Sequence, residues 1–394
     1  MIPSHHLAAW ARKRHATYGT RSINPMWVLD LGDDGTNPRL TPLPEPQPMD
    51  LPYLARTSGV SPRAGADNIN YLLGKHRERW WDLTERCMAG TNELAALQRA
   101  RQALPEPPTK AKPSHVVTVR LRGRWLHEHP TLTANWVGHI AEDLTGEAEG
   151  VCGLCGQYAP LARKMLAALP ASKFRTTGDV PLYPGTHNLG CVSCAINTAA
   201  AFDDLVRDPA QSWWWYDQER FAIWWSPDGD TPPVGQWMNK PDPAQVQDWT
   251  GATGTCNIWV LAAKPGRLAT LAAWSMPTHE LAQRTLAWYD RIRVGITGTV
   301  YGINALHRQV TCQYDRRTRT YRAMKTPAFD EHLMWDLAIS GGPLRRCAEL
   351  VVQQTQRDLH MSDGRAAILE AHLRDQEAQH SPAGATAPSV AVPS

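Results

Sequence analysis

An α+β fold is predicted for this sequence of 394 residues: a mixed-sheet N-terminal body, an inserted four-cysteine module resembling a zinc ribbon, and a helical C-terminus. Three observations predict it. Strand-like runs, rich in β-branched and aromatic residues, are interspersed with helical stretches up to about residue 276. Two C-x-x-C pairs sit at 152–155 and 191–194. From residue 329 onward only helical spacing appears.

Taken in order, Met26 to Gly32 (MWVLDLG) reads as a strand and the proline-rich LTPLPEPQPMDLP as a loop. Apolar residues recur at helical spacing from about Arg79 to Leu104. LPEPPTKAKPSH, residues 104–115, reads as a linker, so residues 1–104 form one α+β region. A body at 115–330 follows, carrying the cysteine module at 150–196. VVTVRLRGRW alternates as a single strand should, while LTANWVGHIAEDL and CAINTAAAFDDLVRD are helices leading into and out of the module. RFAIWW, NIWVLAA and LATLAAWSM are strands, the first two separated by the long loop SPDGDTPPVGQWMNKPDPAQ. A helix starts at Pro277-Thr278, and three more occupy 331–380 with their approaches. The last residues, 381–394, lack any pattern and are expected to be disordered.

Charge is nearly balanced, 41 Lys and Arg against 38 Asp and Glu, so a nucleic-acid role would have to rest on local clusters. No apolar run reaches the roughly 18 residues of a membrane span. The N-terminus, MIPSHHLAAWARKRHATYG, has no apolar stretch behind its basic residues and does not read as a secretory signal. Eight cysteines in a chain of this length, four of them paired as C-x-x-C, suit a reducing compartment, and a cytoplasmic location is expected.

A C-x-x-C turn presents two thiolates from one knuckle, and two knuckles can close a tetrahedral Zn²⁺ site. Cys152, Cys155, Cys191 and Cys194 are therefore the expected ligands of a structural zinc, with Gly153, Gly156 and Gly190 supplying turn positions. Competing readings are a redox dithiol and a cluster of free buried thiols. An HNH-like nuclease is a further alternative, suggested by His187, Asn188 and Asn197, but no Asp-His pair lies between the knuckles and Ala195 follows the last cysteine. Cys87, Cys256, Cys312 and Cys347 read as core, most of the 17 tryptophans likewise, and His5, His6, His127 and His129 as surface.

Three segments in colinear order resemble the large subunit of the type I-C CRISPR surveillance complex, Cascade. They are PYLARTSGVSPRAGADNINYLLG (52–74), NIWVLAAKPGRLATLAAW (257–274) and SGGPLRRCAELVVQQTQRDLHMSDGRAAILEAHL (340–373), with HVVTVRLRGRWLHEHPTLTANW matching in placement. The likeness runs from about residue 26 to 375. Lys264-Pro265-Gly266 departs from the family's Ser-Pro-Asn turn, Glu370 replaces its usual Lys, and the four cysteines replace a Cys-x-x-Thr-Gly-Glu start. The resemblance implies a noncatalytic subunit that recognises the short motif beside the target (the PAM), stabilises the R-loop and helps recruit a helicase-nuclease. Implied partners are a guide RNA (crRNA), target double-stranded DNA, and the Cascade backbone and handle-binding subunits; no membrane is involved. Only two helices of useful length follow Ala338, where a bundle that closes a core usually has four, so a separate small helical subunit is also expected. A zinc-ribbon interaction protein outside CRISPR is the remaining alternative.

Three clusters could carry nucleic-acid contacts. Arg120, Arg122 and Arg124 alternate in one predicted strand, which would line them up at about 6.6 Å as a phosphate track. Arg316, Arg317, Arg319 and Arg322, with Lys325, fall on a predicted hairpin. Asn68 and Asn70 could pair with base edges in the PAM while Lys75, Arg77 and Arg79 hold the backbone. The competing readings are a solvated strand face for the first cluster and a helix cap for Asn68.

Overall fold

The computed structural model describes residues 20–52, 62–162, 190–215, 219–264, 267–295, 297–322 and 329–380, plus positions 7, 9–10, 166–167 and 180–181. Two compact units emerge, Met1–Asp204 with Ala263–Ala269, and Leu205–Ala262 with Thr270–Ser394. The fold is α+β with a helical C-terminal region, as the sequence predicts. The expected boundary at 104–115 does not separate domains. Trp27–Asp30 pairs in parallel with Val116–Leu121, Leu29 opposite Val119, so the segments on both sides of the linker share one sheet. The expectations for residues 381–394, His5, His6, His187, Asn188, Lys325, Pro265, Gly266 and residues 53–61 of the 52–74 segment lie outside the described residues.

The first unit is built on this mixed five-stranded sheet, ordered Arg39–Pro42, Trp27–Asp30, Val116–Leu121 and Ala66–Asn68, with Arg124–Trp125 also pairing with Val116–Leu121. The predicted helix over 79–104 is two helices, Arg77–Cys87 and Leu94–Gln102, separated by Gly90 at φ +81°. Trp80, Trp81 and Trp136 are fully buried in its core, which fits tryptophan's large apolar area. The proline-rich 40–52 segment contributes strand ends at Arg39–Pro42 and Met49–Pro52, a difference from the loop prediction. Proline at a strand terminus costs no ladder hydrogen bond.

Gly35 shows why the Trp27–Pro42 hairpin needs glycine at its tip. Its φ is +81° and a Cβ there would run into the carbonyl oxygen of Ala96. Gly35→Ala is expected to destabilise the first unit by more than about 1 kcal/mol, since the αL penalty adds to a backbone clash. Urea denaturation checks this; a midpoint equal to the parent's would refute it.

The second unit carries a four-stranded sheet ordered Ser212–Trp214, Arg220–Trp225, Thr255–Lys264 and Arg267–Pro277. Arg220–Trp225 runs antiparallel to Thr255–Lys264, with Ile223 opposite Trp259. Helices Thr278–Arg291, Ile303–Thr311, Glu331–Ser340, Arg345–Asp358 and Asp363–His380 supply the rest of its core, around Trp224, Trp237, Trp335 and Tyr289. The loop predicted at 226–245 holds two short helices, Val234–Asn239 and Pro243–Gln247. The second is capped by Asp242, whose carboxylate accepts from the Ala244 and Gln245 amides, and begins with Pro243. The periodicity of such short helices is too brief to read from sequence.

Candidate metal centre and nucleic-acid interface

The strand Thr145–Val151 returns as Tyr158–Ala162, and the turn between them carries the first C-x-x-C. The second C-x-x-C opens the helix Val192–Arg207. An isolated bridge, Leu161 to Cys191, brings the helix start against the hairpin. The four cysteine sulfurs lie within 4.8 Å of one another, with Cys155 Sγ 3.9 Å from Cys191 Sγ. Four sulfurs at about 2.3 Å from one ion would be about 3.8 Å apart, so the observed cluster has the dimensions of a tetrathiolate site. Cys152, Cys191 and Cys194 are buried and Cys155 half-buried.

Backbone donors prepare the site for negative charge. Cys152 Sγ accepts from the amides of Cys191 at 3.0 Å, Leu154 at 3.3 Å and Cys155 at 3.4 Å. Burial raises the Cys152 thiol, but these donors outweigh it and bring it down to about 6. Cys191 and Cys194 are raised, first by burial; the Cys191, Cys155 and Cys152 sulfurs add to the rise at Cys194, while at Cys191 the Cys194 amide and side chain oppose it and Cys152 adds to it. A divalent cation relieves that crowding of like charge.

The glycines divide by function. Gly156 takes φ +74° and closes the knuckle through its amide to the Cys152 carbonyl, 2.9 Å. Gly190 keeps its φ outside the left-handed region, yet a Cβ there would meet Leu154 Cδ1 at 2.6 Å. Gly153 has neither a left-handed φ nor a neighbour within 4 Å of a Cβ, so its predicted turn role is not realised. The other four cysteines are buried as expected. Burial pushes Cys87 up to about 11 and Cys347 to about 12, which keeps both as thiols.

The arginine track does not form. Val116–Leu121 ends in a two-residue turn in which Arg122 (φ +52°) and Gly123 (φ +72°) are both left-handed. The chain reverses, so Arg124 stands opposite Leu121 and Arg120 opposite Trp125. Directly opposed residues share a face, which puts Arg120 and Arg124 on opposite faces. Arg120 donates through Nε to Asp30 Oδ2 at 3.0 Å and lies over the Trp125 ring. Arg122 donates to the Asp33 carbonyl at 3.0 Å and faces Glu93 at 3.7 Å. Arg124 is exposed, and among the described residues it takes no partner.

The second arginine cluster is on a hairpin as predicted, Gln313–Asp315 with Thr320–Arg322. Its members have separate roles. Arg322 pairs with Asp315, and Arg316 donates to the Leu359 carbonyl. Asp315 also accepts from the Arg317 amide at 2.8 Å and the Thr318 amide at 3.3 Å; these backbone bonds lead in holding its carboxyl below the usual range. Arg317 and Arg319 stand exposed at the tip with no side-chain partner among the described residues, Arg319 at φ +54°.

What fixes this hairpin is not apparent from the sequence. Arg365 and Asp358 form a bidentate pair at 2.8 and 2.9 Å, with side chains 0% and 1% exposed. Arg365 also donates to the carbonyls of Gln309 (2.8 Å), His360 (2.6 Å) and Cys312 (3.0 Å), so all five guanidinium hydrogens have acceptors. Asp358 in turn accepts from the Tyr314 amide at 2.8 Å, anchoring the hairpin's first strand. The Tyr314 ring stacks on His360 at 3.7 Å. The loop after the Arg345–Asp358 helix carries Leu359 at φ +50° and 72% exposed, beside half-exposed Met361. A bulky residue in the left-handed region is strained, and the buried pair next to it holds it there. The one legible signal is the Arg365-Ala366 pair within the third resembling segment, which gives no hint of burial.

Asn68 and Asn70 are half-buried at the Ala66–Asn68 strand end and the following short helix. Asn68 occupies the capping position without making a side-chain cap, and its Oδ1 is buried without a partner. Neither amide is fully exposed for reading a base edge; Lys75, Arg77 and Arg79 are exposed. Arg77 pairs with Glu78 at 3.3 Å. His127 is a correction to the surface expectation: it is buried, within 3.2 Å of Thr118 Oγ1, and burial lowers its pKa. His129, half-buried, lies 3.7 Å from Glu93.

The chain matches no family model and no curated protein. No helix among the described residues is long and apolar enough to cross a membrane.

Proposed function

We propose that this chain is a noncatalytic nucleic-acid-binding subunit, the large subunit of a type I CRISPR RNA-guided DNA surveillance complex acting in the cytoplasm. The colinear motifs at 52–74, 257–274 and 340–373 support the complex. The observation that carries nucleic-acid binding is the anchored hairpin offering Arg317 and Arg319 to solvent, neither of them in an ion pair among the described residues. In this reading the guide RNA reads the target by base pairing, and the protein recognises the PAM and stabilises the opened duplex. Partners are the crRNA, the target DNA, the backbone and handle-binding subunits, a small helical subunit and the helicase-nuclease.

The cysteine cluster is read as a structural zinc centre held by Cys152, Cys155, Cys191 and Cys194. Four protein thiolates around zinc leave no open position for water, so such an ion organises the hairpin and helix start and takes no part in chemistry.

Two substitutions separate phosphate contacts from internal pairing. Arg317→Ala with Arg319→Ala is expected to weaken DNA or guide-RNA binding and to lower the slope of log K against log salt by about 2, near 0.9 per lost phosphate contact. Arg120→Ala is expected to leave the slope unchanged and to lower stability, because Arg120 is engaged by Asp30. Binding isotherms at several salt concentrations check both, and an unchanged slope in the double variant would return Arg317 and Arg319 to ordinary solvated surface. Co-purification with guide RNA and the other subunits tests the complex itself; a chain that enters no such complex contradicts the reading.

A further inference from the structure

The Thr145–Ala162 hairpin is exposed in a way the first unit's sheet is not. Thr145, Glu147, Ala148, Glu149 and Val151 are all exposed on one strand, and Tyr158 and Pro160 on the other. Val151 and Tyr158 are paired directly across the ladder, next to the first knuckle, at 67% and 71% exposure. Opposed residues share a face, so these two form one apolar patch. Glu149 lies two residues from Val151 on the same strand and opposite Pro160, which continues that face and gives it an acidic margin. A two-stranded hairpin is marginal in water by itself, and an exposed aromatic on its face is the residue type that anchors protein interfaces.

The charge around the patch selects the kind of partner. Within Thr145–Ala162 the charged residues are Glu147 and Glu149, both acidic; Arg163 and Lys164 follow in sequence, after the end of the ladder opposite Val151 and Tyr158. A divalent ion on four thiolates would add a net charge of about −2 beside the patch. Phosphate backbones are repelled by such a field, and a basic protein surface is attracted.

We propose that the outer face of this hairpin, centred on Tyr158 and Val151 and bordered by Glu147 and Glu149, docks a protein partner whose surface presents apolar side chains ringed by Lys and Arg. It does not contact nucleic acid. This division gives the chain two interaction surfaces of opposite charge, the arginine hairpin for phosphates and the cysteine hairpin for protein. The inference does not depend on the CRISPR reading.

The test places the photo-crosslinking residue p-benzoylphenylalanine at position 158 of the full chain, in the cell that normally makes it. After irradiation, adducts are digested separately with nuclease and protease and the crosslinked peptide is sequenced. A protein adduct on a peptide rich in Lys or Arg is expected. Its yield should fall at least about tenfold when Glu147→Lys and Glu149→Lys are added, and should be unaffected by Arg317→Ala with Arg319→Ala. An unchanged metal content in the charge-reversal variant shows that the hairpin still folds. A nuclease-sensitive adduct, an adduct to this chain or a second copy of it, a protein adduct indifferent to charge reversal, or no adduct each overturns the proposal. Guide RNA in the same purified material reports on the CRISPR reading separately, because its presence or absence does not alter the identity of the adduct at 158.

Discussion

Arg365→Met is expected to destabilise the second unit by about 3–5 kcal/mol, the range for removing one partner of a buried ion pair. The variant leaves the Asp358 carboxylate buried, with only the amides of Tyr314 and His360 as donors. It also strands the carbonyls of Gln309, His360 and Cys312, which the guanidinium now satisfies. The double variant Arg365→Met with Asp358→Leu should recover much of the loss, since it removes the orphaned charge together with its partner. Urea unfolding monitored by tryptophan fluorescence measures both, and a single variant as stable as the parent would contradict the account. If the proposed nucleic-acid role holds, the same variant should weaken that binding, because the hairpin whose tip carries Arg317 and Arg319 loses its anchor. The pair also makes a pH signature. Burial tends to raise the Asp358 carboxyl, but Arg365 and the Tyr314 and His360 amides prevail and hold it below its ordinary value. A depressed folded-state value means that the stabilisation is fully present above the unfolded carboxylate's pKa, near 4, and is lost as pH falls through the lower folded value. Acid unfolding of the Asp358→Leu double variant should therefore be less steep than that of the parent.

Cys155→Ser is expected to abolish stoichiometric zinc binding and to unfold the cysteine hairpin locally. Metal binding at such a site is folding free energy, about 10–16 kcal/mol in isolated zinc-finger peptides, so losing one of four thiolates removes a large part of it. The consequence should centre on 145–162 and the start of the Val192–Arg207 helix, where Val192 and Ile196 still pack on the core around Trp80, and should leave the core around Trp224, a separate cluster, unaffected. Metal analysis of the purified chain and hydrogen exchange across 145–207 measure the two effects. One zinc per parent chain with rapid exchange only in the variant is the expected pair of results. A parent chain that contains no zinc, or a variant that retains it, would overturn the assignment.

Local pattern was sufficient for the elements that have it. RFAIWW is a strand at the predicted residues, and LRRCAELVVQQTQRDL is a helix within a residue or so at each end. The four metal-site candidates could be named because C-x-x-C spacing is itself the geometry of a knuckle. The arginine strand misled because VTVRLRGRW alternates on both sides of Arg122-Gly123, so one continuous strand and a tight hairpin have the same polarity pattern. Only the left-handed φ values at 122 and 123 distinguish them. His127, between Leu126 and Glu128, carries no local mark of burial; its contact with Thr118 on the neighbouring strand is what takes it inside.

The sequence by itself determined the α+β class, most strands and helices, the tryptophan-rich cores and the two C-x-x-C pairs, because each depends on spacings within a few residues. Only the tertiary structure decided the two-unit division after Asp204, and only it paired Trp27–Asp30 in parallel with Val116–Leu121, which joins the segments on the two sides of the 104–115 linker. It alone decided which arginines are available to a ligand. Arg120 meets Asp30, and Arg316 meets Leu359, through contacts between residues far apart in the chain. Such pairings depend on strand register and helix packing, and one-dimensional charge spacing has no record of either.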